Sequence, residues 1–382
     1  MGVAMVYLGL VLGLIGIVSV AKPLNFLGVR TRGAGAGMLL LGLTLAAAGM
    51  VLPAPLLALP GERALLDDFV PACQFREVHA IRIHAPADAV FGAVKSVTAR
   101  EIRFFRLLTW LRSPRLTRAR EDILAAPADR PLLDVALRSG FLMLAEDPPR
   151  ELVFGTLLCG RLPRVSRPAP WDFAEFDRPG FCKVAMNFRL RDEGGGWVRL
   201  TTETRVFALD PSARKRFAPY WRVISPGSAF IRRMWLNAVR RRAEDARRAC
   251  SDGLEVLTRP VNLALRDFES AAAAPGATGN VRAAESVLAE ARLAREKLES
   301  RATEPACVAS RREILIYLNH LTLGFDAWLA SGSRSPRDSD DLGSIIRRAR
   351  AHEARAITSF WRRGPRAEGA GTPRPRVASE TA

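Results

Sequence analysis

Two long runs without a charged side chain stand at the start of the chain and constrain it more than anything that follows. Residues 1–21, MGVAMVYLGLVLGLIGIVSVA, contain no acid or base, and neither do residues 33–61, centred on MLLLGLTLAAAGMVLPAPLLAL. Each reaches the roughly 20 apolar residues an α-helix needs to cross a bilayer. A cleaved signal peptide carries a basic stretch ahead of its apolar run, and nothing basic precedes this one. The expectation is a transmembrane hairpin over residues 1–60, with spans at about 3–21 and 36–59.

Small residues let helix backbones approach closely in lipid, where hydrophobicity cannot drive association. Gly9 and Gly13 form one GxxxG pair, and Gly33 and Gly37 another, so both spans carry a surface for packing on each other or on a second copy. The GAGAG at 33–37 is not a nucleotide-binding loop, because no strand precedes it and no acidic residue follows at the required distance. The connecting loop holds Lys22, Arg30 and Arg32, whereas the N-terminal flank has only its amine. By the positive-inside rule the loop faces the cytoplasm, and both termini with the soluble region lie outside it.

Beyond the hairpin the composition is that of a folded protein, 48% apolar and 25% charged. The five cysteines are too few for a disulfide scaffold, their odd number leaves at least one unpaired within the chain, and no CxxC is present. That excludes zinc ribbons and thioredoxin-like redox motifs. The formal net charge of +18 comes almost entirely from arginine and concentrates in residues 61–250, where 34 basic side chains stand against 22 acidic ones. Such an excess suits anionic lipid headgroups, or simply an Arg-rich soluble surface. Nucleic acid is disfavoured: Glu244 and Asp245 interrupt the densest arginine cluster, and no helix-turn-helix, zinc-finger or RNA-binding signature appears.

Residues 61–250 read as an α+β domain. FREVHAIRIH (75–84) alternates as a strand, and Ala85-Pro86-Ala87-Asp88 opens a helix with an acid in its first turn. A second helix is expected over roughly 99–112 from the spacing of Ile102, Phe105, Leu108 and Leu111. LMLAE, ELVFGTLL, CKVAMNFRL and WVRLTTETRVFAL read as strands, the last two joined by Asp192-Glu193-Gly194-Gly195-Gly196 into a hairpin. A long amphipathic helix follows over about 212–250, interrupted at Ser225-Pro226-Gly227, and lies over the sheet.

The stretches IRIHAPADAVFGAVKSVTARE, RELVFGTLLCG and LTTETRVFALDPSARKRFAPYWRVI, in that order, resemble the START-like superfamily of polyketide cyclase/dehydrase and lipid-transport proteins. The resemblance covers about 75–250, half the chain, and rests on loose structural motifs. It implies a helix-grip fold, an antiparallel sheet closed by a long C-terminal helix around an apolar cavity. It also implies a lipid-like or other hydrophobic ligand, with enzymes a minority of the family.

Candidate ligand-binding residues follow from that fold. Met186 and Phe188 share one face of their strand and would line the cavity. Glu203 and Arg205, two apart, share a strand face and would orient a polar headgroup if that face were inside; an exposed ion pair is the plainer alternative. Tyr220 and Trp221, beside Arg222 where the closing helix begins, would guard the mouth, sit at a lipid interface, or simply pack in the core. No catalytic residue is assigned, because no GxSxG, Cys–His pair or paired carboxylates stand out. An enzymatic alternative of the cyclase or dehydratase type would place Glu203 first as acid or base. His79 and His84 point to opposite strand faces and do not form a metal site. No cofactor is expected.

Residues 251–363 read as three further helices forming a small bundle or a sheath on the central domain, and residues 364–382 as a disordered tail. Asn319, His320 and Asp326 argue against a third span at Ile314–Leu329. A structural or signalling protein working through these C-terminal helices is the further alternative.

Overall fold

The computed structural model describes residues 2–59, 61–102, 129–160, 172–272, 277–332 and 336–359. Most of the helix expected over 99–112, with Phe105, Leu108 and Leu111, and the tail over 364–382, lie outside the described residues. The chain forms two compact units, one of residues 1–191 and 198–245, the other of residues 192–197 and 246–382.

The first unit begins with two helices, α1 (Gly2–Ala21) and α2 (Arg32–Val51), both long and apolar enough to cross a membrane. Only 28% and 17% of their most apolar windows are buried inside the protein, so neither is a core helix. α2 starts four residues before the expected span, because Thr31 caps it by accepting a hydrogen bond from the Ala34 amide at 3.1 Å. It ends at Val51 rather than near 59, because Pro53 turns the preceding Leu52 to an extended ψ of 139°. Val6, Gly9, Gly13, Gly16 and Ser19 of α1 form a buried seam with Gly35, Gly42 and Gly49 of α2. A Cβ on Gly42 would stand 2.4 Å from the Gly13 nitrogen. The expected Gly33/Gly37 pair is not on this seam, since a Cβ on Gly37 would meet nothing within 4 Å. A seven-residue repeat of glycine makes the contact instead.

After α2 comes the short helix α3 (Leu66–Phe69), then β1 (Phe75–His84), α4 (Ala87–Ser96), α5 (Leu132–Arg138), β2 (Leu142–Asp147), β3 (Glu151–Leu158), the short α6 (Asp172–Glu175), β4 (Cys182–Gly194) and β5 (Trp197–Ala208). The strands form one five-stranded antiparallel sheet in the order β1-β5-β4-β3-β2, with the first strand beside the last. The register sets Leu152 opposite Phe188 and Phe154 opposite Met186. Because side chains alternate across a strand, Leu152, Phe154, Met186 and Phe188 face one side of the sheet. Val153, Ala185 and Asn187 face the other.

α7 (Pro211–Ala272) is a single helix of 62 residues, of which those up to 245 belong to the first unit. Asp210 begins it: its Oδ1 accepts the amides of Ser212 at 2.8 Å and Ala213 at 3.0 Å. These amides and that of Gly180 hold the Asp210 carboxyl down at about 2. The expected break at Ser225-Pro226-Gly227 does not occur, and the helix also continues through Thr258-Arg259-Pro260. Each proline removes one backbone bond and costs about 3 kcal/mol in a helix interior, yet buried contacts before and after each keep the axis continuous. Near Pro226 these are Phe217, Trp235, Leu236 and Val239, and near Pro260 they are Leu257, Val261 and Leu265.

The second unit is built from the remainder of α7 with α8 (Ala277–Ser300), α9 (Val308–Ala330) and α10 (Pro336–Ser359). Leu257, Val261 and Phe268 of α7 share one core with Val287 of α8, Leu318 and Phe325 of α9 and Ile346 of α10. Ile314, Leu318, Leu321 and Phe325 are buried there. A disulfide joins Cys250 and Cys307 across 57 residues, with Cα atoms 5.6 Å apart. Cys73, Cys159 and Cys182 are free thiols, the last two with sulfurs 3.0 Å apart.

Candidate functional site

The expected site residues fall on two opposite faces of the sheet. On the face turned to α7, Phe188 lies between Phe154 of β3, at a ring separation of 6.2 Å, and Trp235 of α7, at 5.2 Å. Met186 meets the Arg232 guanidinium, which also donates to the Thr202 hydroxyl at 3.1 Å. The buried polar atoms of this unit that find no partner among the described residues include the Thr204 hydroxyl of β5, the Ser225 hydroxyl of α7 and the Trp235 indole nitrogen. Leaving such a group unsatisfied costs about 1–3 kcal/mol. It is the kind of group that a ligand or an ordered water would engage.

Glu203 and Arg205 share a face, as their spacing requires, but it is the other one. They are buried, 9% and 4% exposed, so they are not a surface ion pair. Glu203 Oε1 accepts from Arg205 Nε at 2.6 Å and from Arg76 Nε of β1 at 2.8 Å. Arg205 also donates to Asp67 of α3 and to the Val70 carbonyl at 3.0 Å. Beside them Asn187 donates to Glu151 at 2.7 Å and accepts the Glu203 amide at 2.9 Å, while Glu151 takes the Leu65 amide at 3.0 Å. The network ties the segment after α2 to the sheet, where Leu66, Val70 and Cys73 pack on Val153 and Ala185. Burial raises the Glu203 carboxyl, but hydrogen bonds and charge from Arg76 and Arg205 outweigh it and leave the pKa below the ordinary value. A general acid needs the opposite shift.

Tyr220 and Trp221 both meet the Phe217 ring but differ in burial. Trp221 packs against Phe75 at 5.8 Å and Phe217 at 6.0 Å, while Tyr220 stays 45% exposed. Arg222, the next residue, is buried and donates to the Met50 and Leu52 carbonyls, where α2 ends. The Tyr7 hydroxyl of α1 donates to the Val223 carbonyl at 2.6 Å. The apolar pair and the charged pair of candidate residues are therefore not brought together. Spacing alone did not reveal Arg222 as the link to the hairpin, although a lone arginine in the apolar stretch 218–231 was a visible signal.

His79 Nε2 lies 2.8 Å from Glu77 Oε1, and among the described residues no three His, Cys, Asp or Glu side chains gather as a metal site. In the second unit a half-open pocket of about 160 Å³ lies beside the disulfide, lined by Gly253, Leu257, Leu298, Arg301 and Arg311 among others. Compared with known protein families, curated proteins and solved structures, the chain matches none.

Proposed function

We propose that this chain is a membrane-anchored START-like protein that binds or transfers a hydrophobic, lipid-like ligand between its sheet and α7. The observation that carries the reading is the apolar layer of Phe154, Met186 and Phe188 under α7, in a unit where the Thr204, Ser225 and Trp235 polar atoms are buried without partners. An amphiphile would meet both kinds of surface, apolar chain against the rings and polar group on the unsatisfied atoms. The helix-grip assignment is supported by a sheet whose first strand lies beside its last and by the long helix that follows. Two membrane spans would hold the site at its ligand source and raise the effective ligand concentration. Arginines of the same unit would add attraction to anionic headgroups.

The orientation we favour puts the soluble part outside the cytoplasm. Lys22, Arg30 and Arg32 in the loop between the spans support it, and so does the Cys250–Cys307 disulfide, since disulfides persist in oxidising compartments.

A second reading is favoured by the Phe154–Phe188–Trp235 row, whose rings occupy space that a cavity would need. On that reading the chain is a non-enzymatic structural or signalling membrane protein acting through its helical bundle. Native mass spectrometry of the full chain extracted in polymer-bounded nanodiscs, followed by organic extraction, separates the two. One lipid-like species enriched over the surrounding bilayer at about one per chain supports ligand binding. Lipid in bulk proportions only, before and after incubation with total cell lipid, supports the structural reading.

A further inference from the structure

Resting on the membrane reading above, we propose that residues 218–231 of α7 form a third membrane element, lying in the plane of the leaflet that receives the first turn of α1. α1 has 20 residues, which at 1.5 Å each span about 30 Å, the thickness of the hydrocarbon core, so a span over Gly2–Ala21 sets Gly2 near one edge of that core. Tyr7 is five residues in from Gly2, about 7 Å along the axis. Its hydroxyl nevertheless bonds the Val223 carbonyl, which puts α7 alongside the first turns of the span rather than above it. Arg222 fixes the same level from the other span, through the Met50 and Leu52 carbonyls.

The face that α7 leaves open there is apolar. Tyr220, Val223 and Phe230 are 45%, 50% and 46% exposed and recur with Gly227 at helical spacing. Within APYWRVISPGSAFI the single charge is Arg222, which the hairpin carbonyls satisfy. Basic residues stand at both ends of the stripe, Lys215 and Arg216 before it, Arg232 and Arg233 after. An apolar face with aromatic residues and flanking cations is the composition of helices that sink about 5–10 Å into the headgroup–acyl boundary. The depth set by Tyr7 falls in that range. Continuity with the hairpin identifies the occupant of this face as the bilayer, with Lys215, Arg216 and Arg233 at the level of anionic phosphates.

The test uses the full chain in nanodiscs of phosphatidylcholine and phosphatidylglycerol, with one added cysteine at a time. Val223→Cys and Phe230→Cys report on the stripe, Leu14→Cys on the middle of α1, and Ser212→Cys on the exposed start of α7. Labelling by a membrane-impermeant maleimide is followed peptide by peptide, and an environment-sensitive fluorophore at each site is challenged with nitroxide-bearing lipid. The expected result is labelling at 223 and 230 at least tenfold slower than at 212, with strong quenching by the nitroxide lipid. Labelling as fast as at 212 overturns the inference, and so does slow labelling without lipid quenching, which means that protein covers the face. If position 14 labels as fast as 212, the membrane reading itself fails; if 14 is protected and 223 and 230 are not, only the in-plane segment fails.

Discussion

The two units of this chain bury charge in opposite ways. In the first, Glu151, Lys183, Glu203, Arg205 and Arg222 are all buried. In the second, the buried polar groups among those described are the hydroxyls of Thr258, Ser310 and Thr322 and that of Tyr317, which donates to Asn262 at 2.7 Å, and none of them carries a charge at neutral pH. The bundle holds together by apolar contact and one disulfide, with its ion pairs exposed or, as at His352 and Glu313, half-buried. Arg292 and Asp326, for example, pair at 2.7 Å with both side chains about half exposed. A buried pair rarely adds net stability over well-packed apolar residues, but breaking one is costly and the pairing is specific. The charges in the first unit lie where a segment must take one position: Arg205 where the chain leaving α2 meets the sheet, Arg222 where α7 meets the hairpin. The first unit is thus built for placement, the second for cohesion.

Removing one partner should break that contrast most sharply. Glu203→Ala leaves Arg205 and Arg76 without their carboxylate and should destabilise the first unit by about 3–5 kcal/mol. Chemical denaturation followed by limited proteolysis would show the strands of this unit exposed first. In the second unit the largest effect should come from the disulfide. For a closed loop of this size the chain-entropy relation gives about 4 kcal/mol, so Cys250→Ser with Cys307→Ser should lower the bundle's transition and leave the hairpin and sheet unchanged.

A smaller loss, about 1–3 kcal/mol, is expected for Gly42→Val, whose side chain would enter the α1 backbone. Gly37→Val, on the open side of α2, should change little. Disulfide cross-linking between cysteines placed on the two spans reads both. Acid should act on the first unit through its paired carboxylates. Glu203 and Asp67 have pKa values held below the ordinary carboxylate range, because hydrogen bonds and charge, from Arg76 and Arg205 at Glu203 and from the Ala64 amide and Arg205 at Asp67, outweigh the upward push of burial. Their stabilisation is complete above about pH 4.3 and is lost as the pH falls through the depressed folded values. A pH titration of proteolytic protection should show the α3 segment released first. The smallest effect is expected at Asp326→Ala, under about 1 kcal/mol, because that pair is solvated.

How much of this was legible in the sequence differs by element. The strands were, because an alternation of period two survives in CKVAMNFRL and WVRLTTETRVFAL whatever packs on them. The same alternation placed Glu203 and Arg205 on one face. It could not say which face was covered, since Asp67, which meets Arg205, lies far away in the chain. The continuity of α7 was hidden by Pro226 and Pro260, which obey a local rule that tertiary contacts override. The α2 seam is readable from the seven-residue recurrence of Gly35, Gly42 and Gly49, whereas the shorter GxxxG at 33–37 points away from it. The Cys250–Cys307 bond had no signal in spacing, because five cysteines allow many pairings.

Lipid cross-linking asks most directly whether the apolar face under α7 receives a lipid-like molecule. The full chain in nanodiscs would be irradiated with a phospholipid bearing a photoreactive group at the end of an acyl chain, and adducts mapped by peptide. Adducts on β4 around Met186 and Phe188, in addition to those on α1 and α2, are the predicted result. Adducts confined to membrane-facing surfaces, with none on β4 or on the sheet-facing side of α7 at Trp235, would contradict it.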